Sequence, residues 1–243
     1  MTYCVGMKLD AGLVFMSDTR TNAGVDNVAV FRKMYTWAQP DERVIVLLTS
    51  GNLATTQGVA NLLDERARIP EPGRPSLLEA PSMLQAARLV GQTVTEVISG
   101  TAVAGQGSEG AFNASFILGG EIRGAEPRLF QIYPEGNFIE STSDTPFFQI
   151  GEHKYGKPIL IRAYDPAMSF NAAAKLLCLS FDSTLKSNLS VGMPFDLQFY
   201  RRASLRVGIQ RRITEDDPYY RAISEGWASA LKTAFASLPD YQL

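Results

Sequence analysis

MTYCVGMKLDAGLVFMSDTR, residues 1–20, is the stretch whose reading decides the fold class. Tyr3, Val5 and Met7 alternate with Cys4, Gly6 and Lys8, a period of two that predicts a strand almost from the first residue. Asp10-Ala11-Gly12 is a tight-turn signal, and LVFMSD resumes the strand pattern, so the stretch reads as a β-hairpin. Most chains leave their first residues loose and polar. Here a predicted strand begins directly behind Thr2, and that strand would hold residue 2 in place.

Outward from the hairpin, Thr19 to Asp26 is polar and reads as a loop, and VAVFRKMYTWA reads as one strand. Pro40-Asp41 predicts a turn, and ERVIVLLTSG an apolar strand closed by a glycine. Helical spacing runs from Leu53 to Arg68 and again from Ser82 to Ser99, separated by the proline-rich loop IPEPGRPSLLEAP. The glycine-rich GTAVAGQGSEG leads into AFNASFILGGE, read as a strand ending in a Gly-Gly turn, and further strands are predicted at PRLFQIYP and NFIEST. Lys154 to Ala163 reads as a helix broken by Pro158, and Phe170 to Lys186 as an uninterrupted one. PFDLQFYRR and LRVGIQRR alternate like a hairpin, and residues 217–238 form a last helix with Pro218 in its first turn. Helices come in pairs between groups of strands, which predicts an α+β layered domain rather than a parallel doubly wound sheet.

The composition is that of a globular chain: 243 residues, 45% apolar and 20% charged, with a net charge of −2. That charge argues against nucleic acid as the main partner. No stretch reaches the roughly 20 apolar residues of a membrane span. Lys8 and Asp10 interrupt what would be the apolar core of a signal peptide, so a cytoplasmic protein is expected. Cys4 and Cys178 read as buried free thiols, which fits a reducing compartment.

Elimination narrows the chemistry. His153 is the only histidine, so multi-histidine metal sites are excluded, and its polar setting in GEHKYGKP predicts an exposed loop residue. There is no C-x-x-C pair, no G-x-S-x-G, and GQGSEG lacks the lysine of a phosphate loop. A nucleophile that needs no histidine remains. A threonine at a free N-terminus carries its own base, because its α-amine titrates at roughly 7.7–8.0. Thr2 qualifies once Met1 is removed, and threonine is small enough at position 2 for that removal. Lys33 could hold down the hydroxyl pKa and Asp18 could hold the lysine. Equally, such an acid–base pair on neighbouring strands could serve only the sheet.

The spacing of Thr2, Ser17-Asp18-Thr19-Arg20-Thr21, Phe31-Arg32-Lys33-Met34 and Leu48-Thr49-Ser50-Gly51-Asn52 resembles that of proteasome β subunits and HslV peptidases. TYCVGMKLDAGLVFMSDTRTNAGVDN and SNLSVGMPFDL resemble more closely the bacterial ancestral β-subunit (Anbu) group, and the likeness spans nearly the whole chain. It implies a four-layer αββα sandwich of the N-terminal nucleophile hydrolases, a single peptidase domain over 1–243. It implies Thr2 as nucleophile, Asp18 and Lys33 as its activating pair, Gly51 as oxyanion donor and Ser190 as a further catalytic residue. Thr21 would pair with substrate backbone, while Arg20, Thr49 and Asn52 would flank the specificity pocket. It further implies a peptide or unfolded-protein substrate, no metal or cofactor, a ring-like or open helical homo-oligomer, and a separate ATPase as a partner. Two positions depart from the family pattern: Glu152 stands where a serine often follows glycine, and Ser187 where an aspartate precedes Ser190. An amidohydrolase on a specialised amide and a non-catalytic self-assembling scaffold are the alternatives.

Overall fold

A computed structural model describes residues 2–22, 28–69, 71, 73–104 and 112–242, without the side chains of 101–104. Met1, the second half of the polar loop after Asn22 and most of the glycine-rich segment lie outside the described residues. The hairpin at the N-terminus is present as β1 (Tyr3–Leu9) and β2 (Gly12–Asp18), joined through Asp10-Ala11 with Leu9 opposite Gly12. After them come β3 (Arg20–Asn22), β4 (Val28–Val30), β5 (Met34–Gln39), β6 (Arg43–Gly51), α1 (Leu53–Arg68) and α2 (Met83–Ala104). The chain continues with β7 (Ala114–Ile122), β8 (Arg128–Ile132), β9 (Phe138–Glu140), β10 (Phe147–Gly151), α3 (Lys157–Ala163) and α4 (Phe170–Ser187). β11 (Phe195–Arg201), β12 (Gln210–Ile213) and α5 (Pro218–Ala236) complete it.

Two antiparallel five-stranded sheets form, in the orders β10-β1-β2-β11-β12 and β5-β6-β7-β8-β9. The strands are apolar on both faces because both faces are covered. On β1 and β2, Tyr3, Val5, Met7, Val14 and Met16 pack against Leu177 and Phe181 of α4. The alternate residues Cys4, Leu13 and Phe15 turn inward and meet Val44, Val46, Leu48, Ile117 and Leu129 of the second sheet. Ile45, Leu47, Phe116 and Leu118 face the opposite way, onto Val59 and Leu63 of α1 and Val90 and Val94 of α2. The layer order is therefore αββα. No helix among the described residues is long and apolar enough to cross a membrane.

Several local readings of the sequence are corrected by what the strands pair with. VAVFRKMYTWA is not one strand: Val28–Val30 pairs with β3, whereas Met34–Gln39 pairs with β6. Residues 31–33 make the crossing, with Phe31 N–H donating to Thr19 O and Lys33 O accepting from Thr49 N–H. Pro158 starts α3 instead of breaking it, since the first turn has no intrahelical acceptor for its missing N–H. Strand β10 falls within a segment that carries no alternating pattern, and β3 within the polar loop. Gly119 and Gly120 lie inside β7, not in a turn, which comes instead at Arg123–Ala125. They admit the opposite sheet: a Cβ at Gly119 would stand 2.6 Å from Phe15 Cζ and 2.9 Å from Leu129 Cδ1.

Gly119→Ala therefore overpacks the space between the sheets and is expected to destabilise the fold by about 1–3 kcal/mol in urea unfolding. Adding Phe15→Leu, which withdraws the clashing ring edge, should recover part of that loss. Additive effects of the two substitutions would show that the glycine is not there for the ring.

Candidate active site

Three segments converge on the start of β1. Asp18, at the end of β2, is fully buried and Lys33 is 4% exposed. Lys33 Nζ donates to Asp18 Oδ1 at 2.7 Å and to Arg20 O at 2.5 Å. The same Oδ1 accepts the Tyr3 N–H at 3.1 Å, and Oδ2 accepts the Gly192 N–H at 3.2 Å. Asp18 thus joins the residue after Thr2, the lysine before β5 and the loop entering β11. A buried charge is tolerable only with such partners. Burial pushes the Asp18 carboxyl above the ordinary carboxylate range, and Lys33 with the two backbone donors pulls it part of the way back.

Thr2 is 6% exposed and anchored on its C-terminal side. Its carbonyl accepts the Glu152 N–H at 2.6 Å. The turn that brings Glu152 there requires Gly151, at φ 81°, because a Cβ would overlap the Thr2 carbonyl oxygen. That Cβ would also lie 2.9 Å from Ser50 Oγ, so the end of β6 adjoins Thr2. Cys4 Sγ donates to Thr49 O at 3.6 Å and ties β1 to β6 across the sandwich. Burial pushes the Cys4 thiol well up, and the Asp18 charge adds to that, so the group is an inert packing element. Gly51 ends β6 at φ 118°, exposed and adjacent to these contacts.

Tyr3 locks the next position. Its buried hydroxyl meets Ser180 Oγ of α4 at 2.7 Å and accepts from Gln149 Nε2 of β10 at 2.6 Å. Burial raises its pKa, so it stays a neutral strut.

Thr2, Asp18, Lys33, Thr49 and Gly51 are thus brought together. Thr21 sits on β3 opposite Ala29, half-buried. Two residues have structural tasks that the sequence reading did not assign. Asn52 caps α1, its Oδ1 accepting the Thr55 N–H at 3.1 Å. Arg20 lies across the 188–192 loop, with Nη1 donating to Leu189 O at 3.1 Å and its guanidinium against Gly192. Ser190 is in that loop, its N–H bonded to Asn188 Oδ1 at 2.9 Å. Ser187 is exposed at the end of α4 and donates to Ser183 O of its own helix at 2.7 Å. The residue missed altogether is Asn188, whose Nδ2 donates to Glu152 Oε2 at 2.9 Å. Nothing in the local sequence marks an asparagine at a helix end as the partner of a glutamate 36 positions earlier.

The αββα sandwich, with its second residue next to a buried lysine–aspartate pair, has the fold of the N-terminal nucleophile hydrolase family. Residues 2–197 match the proteasome subunit family model, and the chain belongs to the proteasome subunit family. Solved structures similar to it include Anbu, ancestral β-subunit, proteins. The structure from Yersinia bercovieri is 48% identical, covers 100% of each chain and has a TM-score of 0.92. That from Hyphomicrobium sp. strain MC1 is 52% identical over 100% of each chain with a TM-score of 0.91. The helical assembly of the Anbu complex from Pseudomonas aeruginosa is 48% identical, with 99% of this chain and 98% of that one covered and a TM-score of 0.92. No curated protein matches the sequence.

Lys33→Met leaves the Asp18 carboxylate buried without its cation and is expected to cost about 3–5 kcal/mol of stability near neutral pH. The sign with pH comes from the upward shift. A carboxyl raised by burial favours the folded state when protonated and opposes it as pH rises through its folded-state pKa. Removing Lys33 leaves that opposition unrelieved, so the gap between variant and parent should narrow as pH falls toward the ordinary carboxylate range. Denaturant midpoints measured across that range test it, and a gap that stays constant with pH would refute the coupling.

Proposed function

We propose that the chain is a threonine-type peptidase with Thr2 as its N-terminal nucleophile after removal of Met1. The observation that carries the reading is the placement of Thr2. It is buried, anchored through its carbonyl by Glu152 N–H, and followed by an N–H held on the carboxylate that also binds Lys33. This fixes the backbone of residue 2 on its C-terminal side and leaves the hydroxyl and the amine to react.

In this mechanism the free α-amine of Thr2 takes the proton from Oγ1 as the oxygen attacks the peptide carbonyl. Lys33, its charge held by Asp18, favours the alkoxide electrostatically. The Gly51 N–H, at the end of β6, donates to the oxyanion of the tetrahedral intermediate. The scissile C–N bond breaks, the departing amine receives the proton, and an ester links substrate to Thr2. Water, deprotonated by the same amine, attacks the ester and restores Oγ1–H. Thr21 on the short strand β3 offers backbone for an extended substrate to pair with.

The solved helical assembly of a chain 48% identical supports association with further copies of this one, and we infer an open or ring-like homo-oligomer as the working form. The substrate would be a peptide or an unfolded chain, delivered where necessary by a separate ATPase in the cytoplasm.

Intact mass of the purified protein should fall short of the full chain by one methionine, and Thr2→Ala should reduce hydrolysis of a peptide library to background. Retention of Met1 would sink the mechanism, because the amine would then be locked in a peptide bond. Peptide hydrolysis should rise with pH through roughly 7.7–8.0, as the α-amine loses its proton. A rate independent of pH across that interval would point to a different base. Cleavage of small amides with peptides untouched would favour the amidohydrolase reading.

A further inference from the structure

Glu152, Asn188 and the adjoining 189–192 loop close a circuit of contacts around Thr2. Starting from Thr2, its carbonyl accepts the Glu152 N–H at 2.6 Å. The Glu152 carboxylate accepts from Asn188 Nδ2 at 2.9 Å. Asn188 stiffens the next residues, its Oδ1 taking the Ser190 N–H at 2.9 Å and its carbonyl the Val191 N–H at 3.2 Å. Directly after Val191, the Gly192 N–H donates to Asp18 Oδ2, and Asp18 Oδ1 takes the N–H of Tyr3, which is bonded to Thr2. The path returns to its start. Every link except Glu152–Asn188 involves backbone or the buried Asp18, so this side-chain pair is where the circuit can be opened without dismantling the core.

We propose that Glu152 and Asn188 are positioning residues that hold Thr2 in its reactive place by closing this circuit, with the Glu152 carboxylate acting as a hydrogen-bond acceptor and not as an acid or base. The inference rests on Thr2 being the nucleophile. The geometry assigns the role to the acceptor oxygen: Oε2 is occupied by the Asn188 amide, while the backbone N–H of the same residue holds Thr2. Opening the clasp frees the Gly151–Glu152 turn from the 188–192 loop. The Thr2 carbonyl then rests on a turn held from the β10 side only, with no link to the 188–192 loop. Displacement of a nucleophile by about 1 Å lowers rate by as much as about a hundredfold.

The test compares the parent protein with Glu152→Ala, Glu152→Gln and Asn188→Ala. Each is treated with a peptide vinyl sulfone, which adds covalently to the nucleophile, and followed by intact mass and peptide mapping. The two alanine variants should label at Thr2 about ten- to a hundredfold more slowly at saturation, with unchanged half-saturating concentration and an unchanged melting profile. Glu152→Gln retains an acceptor oxygen for Asn188 and should restore the parent rate at every pH. Alanine variants that label like the parent overturn the proposal, and so does a Glu152→Gln variant whose pH profile is displaced. Amide hydrogen exchange reads the circuit without any chemistry. Glu152→Ala should speed exchange at Tyr3 and Gly192, and unchanged exchange at both overturns the circuit even if Thr2 is inert. A parent that never labels at Thr2 refutes the nucleophile reading and the rate half of the proposal, while the exchange result still decides the clasp.

Discussion

The Asp18 carboxylate is the point on which the site depends. A fully buried charge at the end of a strand is tolerable only if nearly all its lone pairs are satisfied, and here three donors from three parts of the chain supply them: Tyr3 N–H, Lys33 Nζ and Gly192 N–H. The desolvation that lifts its pKa makes each of those donors costly to remove. So one group ties the first residues of β1 to the approach of β5 and to the loop entering β11. Under the proposed mechanism, activation of Thr2 and closure of that end of the sandwich are therefore one interaction, and a substitution that changes one changes the other.

The two sheets must also lie close enough for their strand ends to share a site. Phe15 occupies the width that Gly119 leaves open, and a Cβ at Gly6 would stand 2.7 Å from Ile117 Cγ2. Side chains at those positions would hold the sheets apart. Close approach lets Cys4 reach Thr49 and puts Ser50 against Gly151. The glycines deep in the sandwich thus set the contacts at its rim, through distance alone.

Features legible in the sequence are those whose interactions are local. The α1 boundaries, Leu53 to Arg68, are those read from helical spacing, because a helix is fixed by its own residues and by an Asn52 cap one position away. The opening hairpin is equally readable, since its turn and both strands are contiguous. Misreadings arise where a distant partner decides. Gly119-Gly120 carries the composition of a turn, and only Phe15, far earlier in the chain, reveals it as strand interior. Residues 28–38 carry the composition of one strand, and only the change of partner from β3 to β6 divides them. The same rule covers the site. Thr2, Asp18 and Lys33 can be matched to a motif at known spacing, and the structure brings their segments together. Asn188 belongs to no such motif, because its meaning comes from a glutamate across the fold.

Glu152 and Ser187 flank the 188–192 loop and take different partners. Ser187 turns its hydroxyl onto Ser183 O of α4, while Glu152 reaches past it to the Asn188 amide. A carboxylate at the end of α4 would face the carbonyl end of that helix, where negative charge is disfavoured. Glu152 comes from the β10 side and gives its carboxylate to the neutral Asn188 amide, so one hydrogen bond links the end of β10 to the end of α4 without a carboxylate on the last turn of the helix.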